Sequence, residues 1–171
     1  MKQTVDPSSG NKQNALLSRA MRLLSQRDHS EEELRRKLAA PPFVSNPTAE
    51  NSAKFVDPAI VEQVIAYCYQ HNWLDDLRFA YSFIASRSRK GYGAQRIRSE
   101  LLQKGVEKET VQVALAECGI DWCEQAKQVA RHKFGELPPQ EWREKGKLQR
   151  YLLYRGFFME EIQSIYRDFA Q

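Results

Sequence analysis

The sequence predicts an all-α protein of three tandem three-helix repeats, sharing apolar surface in an elongated or curved body. Three observations carry that prediction. Apolar residues recur at helical spacing, as at Leu16, Ala20, Leu23 and Leu24 and again at Phe79, Phe83 and Ile84. The chain also aligns with itself without a gap: IRSELLQKGVEKETVQVA (97–114) falls on LQRYLLYRGFFMEEIQSI (148–165) at an offset of 51. That register pairs Ile97 with Leu148, Leu101 with Leu152, Gly105 with Gly156 and Val111 with Ile162. Finally, no alternating Val/Ile/Thr run bounded by turns supports a strand.

The elements follow in order. Residues 1–12 are polar and are expected to be a disordered tail. The first repeat covers 13–74. In it Ser30-Glu31-Glu32-Glu33 reads as a capping box, with the serine oxygen on the Glu33 amide and the Glu33 carboxylate reaching back. SEEELRRKLAA (30–40) matches GAQRIRSELLQ (93–103) at offset 63, whereas VEQVIAYC (61–68) matches VQVALAEC (111–118) at offset 50. The change of offset places an insertion in the Pro-, Ser- and Asn-rich loop 41–58.

The second repeat, 75–120, opens at Asp75-Asp76, and the third covers 121–171 with Glu160-Glu161 at a helix start. Acidic residues there suit the positive end of the helix dipole. Gly105 and Gly156 fall where a helix ends in a left-handed residue. Phe157, Ile162, Ile165 and Phe169 form a core stripe, with Tyr151 and Tyr154 left unassigned. Trp73, Trp122 and Trp142 are expected to pack at junctions between repeats.

Composition excludes several classes. No apolar run approaches the roughly 20 residues needed to span a bilayer, and the N-terminus lacks a signal-peptide pattern. Cys68, Cys118 and Cys123 have no disulfide-framework or zinc spacing. A cytoplasmic protein without metal, cofactor or membrane partner is expected. No phosphate-binding or nucleophile motif is present, and Gly91-Tyr92-Gly93 lacks the strand context of a dinucleotide fingerprint, so an enzyme is not expected.

Net charge is +4, but residues 85–104 hold six cations against Glu100 alone. Within ASRSRKGYGAQRIRSEL (85–101), Arg87, Arg89 and Lys90 close one helix, where cations favour the negative dipole end. A solvated helix end explains that much. Arg96 and Arg98 lie about 200° apart on the next helix and cannot form a patch by themselves. Arg87, however, stands four residues after Phe83 and continues the apolar face. With Tyr92 at the turn, the stretch could grip a nucleic-acid backbone or an acidic protein surface. The residues do not choose between them, and a stand-alone helix-turn-helix-like nucleic-acid-binding protein is the alternative to a regulator.

FIASRSRKGYGAQRIRSELLQKGV (83–106), preceded by WLDDLRFAYSFI (73–84), resembles the central signature of the RecX family of recombination regulators. RDHSEEELRRKL (27–38) and LLYRGFFMEEIQSIYRDF (152–169) extend the likeness from about residue 15 onward. The 41–58 loop departs from the family's shorter spacing. The resemblance implies tandem three-helix repeats and a monomeric, non-enzymatic modulator of the RecA recombinase. Such a protein binds RecA filaments on single-stranded DNA and represses ATP hydrolysis, strand exchange and coprotease activity, with single- or double-stranded DNA also within reach. It makes Arg87, Arg89, Lys90, Tyr92, Arg96 and Arg98 the candidates for RecA or DNA contact.

Overall fold

The computed structural model describes residues 7–40 and 56–167. Among them the order is α1 (Pro7–Gln26), α2 (Glu31–Ala39), α3 (Pro58–Gln70), α4 (Asp76–Arg89), α5 (Ala94–Gln103), α6 (Lys108–Glu117), α7 (Trp122–Phe134), α8 (Trp142–Arg155) and α9 (Met159–Arg167). The protein is all-helical, and no described residue forms a strand. No helix among the described residues is long and apolar enough to cross a membrane. α1 starts at Pro7, inside the stretch read from composition as a tail. Proline fits a helix's first turn, and the polar residues after it do not break one. Most of loop 41–58, residues 41–55, lies outside the described residues, as does Phe169.

The chain divides into two compact units: 1–79 with 104–106, and 80–103 with 107–171. In the first, α1, α2 and α3 pack on one another around Leu16, Ala20, Leu34, Leu38, Val61, Val64, Ile65 and Cys68. Burial pushes the Cys68 thiol up, and Trp73 packs on this core. α3 is started by Asp57, whose carboxylate takes the Ala59 amide, followed by Pro58.

Ser30 caps α2 by accepting the Glu33 amide at 3.1 Å, and it donates its hydroxyl to the Lys104 carbonyl at 2.7 Å. Only half of the expected capping box forms. The Glu33 carboxylate turns to Arg27, which offers two charge-assisted bonds in place of one amide. Beside it the buried His29 ring meets the Lys37 ammonium at 3.0 Å through Nε2. An ammonium can only donate, so Nε2 accepts and the proton sits on Nδ1, which donates to the Arg27 carbonyl.

Burial would raise the Glu33 carboxyl, but the Arg27 hydrogen bond and the charges of Arg27 and Lys104 outweigh it and bring it to about 2. A depressed carboxylate stabilises the fold above its unfolded value and loses that contribution as pH falls through the folded one. Glu33→Gln should therefore cost about 1–2 kcal/mol at pH 6, a figure reduced for the exposed Arg27 partner. The difference from wild type should shrink between pH 4.5 and 2 in urea unfolding. A pH-independent difference would assign the loss to packing.

In the second unit Ala80, Ile84, Ala94, Ile97, Leu101, Val111 and Ala114 are buried, and α5 packs on α6. α7, α8 and α9 enclose Ala126, Leu148, Leu152, Phe157, Ile162 and Ile165, with Trp122 against them. The expected Phe157/Ile162/Ile165 stripe is core. Trp142 is not: as the first residue of α8 it is 76 % exposed. A first-turn position, with the core stripe beginning only at Leu148, leaves its ring in solvent.

Candidate functional site: a cationic corner in the second unit

The corner is built from three helix ends. α4 closes with the Gly91 amide on the Ser88 carbonyl and the Tyr92 amide on the Arg87 carbonyl. Gly91 sits at φ +88°, the left-handed residue this closure requires. α8 closes identically, Gly156 on Leu153 and Phe157 on Leu152, with Gly156 at φ +98°. α5 then begins against the end of α8. The Gly93 amide donates to the Arg155 carbonyl at 2.8 Å and the Gln95 amide to the Gly156 carbonyl at 3.0 Å. Donors left over at one helix start thus meet acceptors left over at another helix end.

That joint gathers charge around one ring. The guanidinium carbons of Arg87, Arg96 and Arg155 lie 4.2, 4.4 and 4.9 Å from the centroid of the half-buried Tyr92. Arg155 also donates to the Lys90 carbonyl at 3.1 Å, holding the α4 turn. The series continues outward from Arg155 to Tyr151 and on to Lys133. From Arg96 it runs to Tyr154, 5.3 Å away and 75 % exposed. Cation over aromatic face contributes about 0.5–2 kcal/mol per contact and keeps the guanidinium charge available to a ligand.

Glu100 holds the two inner arginines. Arg87 donates Nε and Nη2 to its carboxylate at 2.8 and 2.7 Å, and Arg96 donates Nε at 3.1 Å. Burial favours the neutral acid, but these hydrogen bonds and charges hold Glu100 below the usual carboxylate range. Nη1 of Arg87 and Nη2 of Arg96 take no part in these bonds, so each fork keeps a donor for a phosphate or carboxylate.

Of the six residues singled out in the sequence, Arg87, Tyr92 and Arg96 come together. Arg89 and Lys90 flank them, exposed. Arg98 is turned away from Arg96 around α5 and is not among the side chains gathered at Tyr92. Sequence reasoning missed Arg155 and Lys133, and it left Tyr151 and Tyr154 open between core packing and stacking. The one signal was Gly156, which marks where α8 ends but not what that end touches.

The first unit contains a related contact at the aligned positions, made by a side chain and not by backbone amides. Ser30 stands at the position aligned with Gly93, and Lys104 and Gly105 at those aligned with Arg155 and Gly156. Ser30 Oγ bonds the Lys104 carbonyl there. Acids and cations balance there: Glu33 pairs with Arg27, Lys37 and Lys104, and Glu31, Glu32 and Glu62 pair with Arg35. Among the described residues, the second unit's contact is the one with guanidinium groups gathered on a tyrosine ring.

Fold and site together describe an all-helical protein that carries, among its described residues, a cationic, tyrosine-lined corner. Comparisons with known proteins make this specific. Residues 75–115 match the family model described as RecX, second three-helix domain, and residues 120–165 that of RecX, third three-helix domain. The "Regulatory protein RecX" of Serratia proteamaculans is 73 % identical over 167 residues, covering 92 % of this chain and 99 % of that protein. Its Yersinia enterocolitica namesake is 64 % identical over 171 residues, with the same shares. The crystal structure of RecX from Lactobacillus salivarius superposes with a TM-score of 0.70 at 17 % identity, covering 93 % of this chain and 97 % of that one, a likeness of fold. The chain belongs to the RecX family of regulatory proteins. Arg87, Tyr92 and Arg96 lie in the second three-helix domain and Tyr154–Gly156 in the third.

Proposed function

We propose that this chain is a negative regulator of the RecA recombinase. It binds RecA filaments on single-stranded DNA, lying in the filament groove, and lowers ATP hydrolysis, strand exchange and coprotease activity. It acts in the cytoplasm as a monomer, needs no cofactor, and uses the corner around Tyr92 for contact. Membership of a family of regulatory proteins supports the role. The observation that carries the site is the gathering of Arg87, Arg96 and Arg155 on one ring beside exposed Arg89 and Lys90.

The mechanism follows from valency and charge. Three repeats, 13–74, 75–120 and 121–171, give several contacts on one filament, and each contact after the first is intramolecular. Filament is therefore favoured over free RecA. Cations at the corner meet DNA phosphates or RecA carboxylates, and the bound protein obstructs an incoming duplex or a protein substrate.

Co-sedimentation with RecA filaments assembled on single-stranded DNA tests this. Wild type should pellet with filaments. Arg89→Ala/Lys90→Ala, which removes two exposed cations and no core contact, should bind about 10- to 30-fold more weakly at ~0.1 M salt. Equal binding by both would remove the corner from the contact. Retention on bare DNA equal to that on filaments would favour the stand-alone nucleic-acid-binding reading.

A further inference from the structure

Tyr154 has the properties of a base-stacking platform. It lies on the last turn of α8, where Gly156 halts the helix, and its ring is 75 % exposed. Neither burial nor core packing explains an aromatic there. The Arg96 guanidinium lies 5.3 Å from the ring centroid, and Arg96 Nη1 reaches the Tyr154 carbonyl at 3.4 Å. Tyr92 cannot serve in its place, because three guanidinium groups already surround its ring. The corner thus has an inner tyrosine that positions cations and an outer one that is open.

We propose that Tyr154 stacks an unpaired nucleobase while Arg87 and Arg96, held by Glu100, take the adjoining phosphate. The ligand is a single-stranded nucleic-acid segment read without sequence preference. Every base has an aromatic face, and stacking on a protein ring tolerates all four. A duplex keeps its bases stacked on each other and offers Tyr154 nothing to cover. An acidic protein surface would pair its carboxylates with the arginines. A base adjoining a phosphate supplies both the anion and the flat face that the arginines and the ring present together. This inference rests on the corner being the contact site, and it adds which polymer the corner takes and by which group.

The test uses the full chain and two 20-mers of equal charge: oligothymidylate and an abasic deoxyribose-phosphate strand. Affinity is measured by fluorescence anisotropy across a salt series. Wild type should prefer oligothymidylate. Tyr154→Ala should lose about 5- to 100-fold on oligothymidylate, with an unchanged salt slope and no change on the abasic strand. Tyr154→Trp should keep the preference. An unchanged affinity in Tyr154→Ala, with Arg89→Ala/Lys90→Ala still weakened, would overturn the stacking role and leave the corner in place. Equal losses on both strands would overturn it too, since the ring would then be serving the backbone. No effect of either variant would overturn both this inference and the corner.

Discussion

Replacing Gly156 with alanine is expected to destabilise the protein by about 2–5 kcal/mol. Two costs add. Gly156 holds φ +98°, which an L-residue adopts at about 1–2 kcal/mol. A Cβ there would also lie less than 3 Å from Arg96 Cβ and the Arg96 amide nitrogen. Backbone cannot swing aside as a flexible side chain does, so overpacking adds about 1–3 kcal/mol. Gly119→Ala separates the terms: its φ is +70°, but nothing lies within 4 Å of the added carbon. It should lose only the conformational part. Urea unfolding of the two variants reads the difference, and equal losses would show that the α5–α8 joint yields easily.

Gly93→Ala tests the same joint from its other side. Gly93 is not among the residues with positive φ, so its cost is one of space alone. The new Cβ would fall less than 3 Å from the Gly156 carbonyl carbon and the Phe157 amide nitrogen. Making room separates α5 from α8 and weakens the bonds from Gly93 to Arg155 and from Gln95 to Gly156. We expect a loss of about 2–4 kcal/mol. The double variant should lose less than the sum by about 1–2 kcal/mol, because a joint opened once has little more to give. Strict additivity would mean the two glycines do not share one contact.

Much of this architecture is legible in the sequence. The offset of 51 aligns Gly105 with Gly156, and both hold the left-handed backbone that a helix end demands. Leu34, Leu38, Ile97, Leu101, Leu148 and Leu152, picked by alignment, are all fully buried. The cationic turn is visible too, because Arg87 through Arg98 are close in the chain. What the sequence hides is the partner of that turn. Arg155 reaches Tyr92 only because backbone amides at Gly93 and Gln95 find carbonyls some sixty residues away. Backbone groups are alike at every position and leave no mark in composition or spacing. Glu33 and Trp142 show a further limit. Each obeyed a local rule, a cap and an apolar preference, until Arg27 in one case and a first-turn position in the other decided differently.

The corner around Tyr92 is the proposed surface for restraint of RecA by this RecX-family protein. The most direct measurement is RecA's single-stranded-DNA-dependent ATP hydrolysis, titrated with wild type and with Arg89→Ala/Lys90→Ala. DNA is kept in excess so that competition for free strand plays no part, and matched urea unfolding shows that both proteins are equally folded. Wild type should inhibit well below one copy per RecA, and the variant should need about ten times more protein or above. Inhibition by the variant at the wild-type concentration would contradict the account and move the contact elsewhere on the chain.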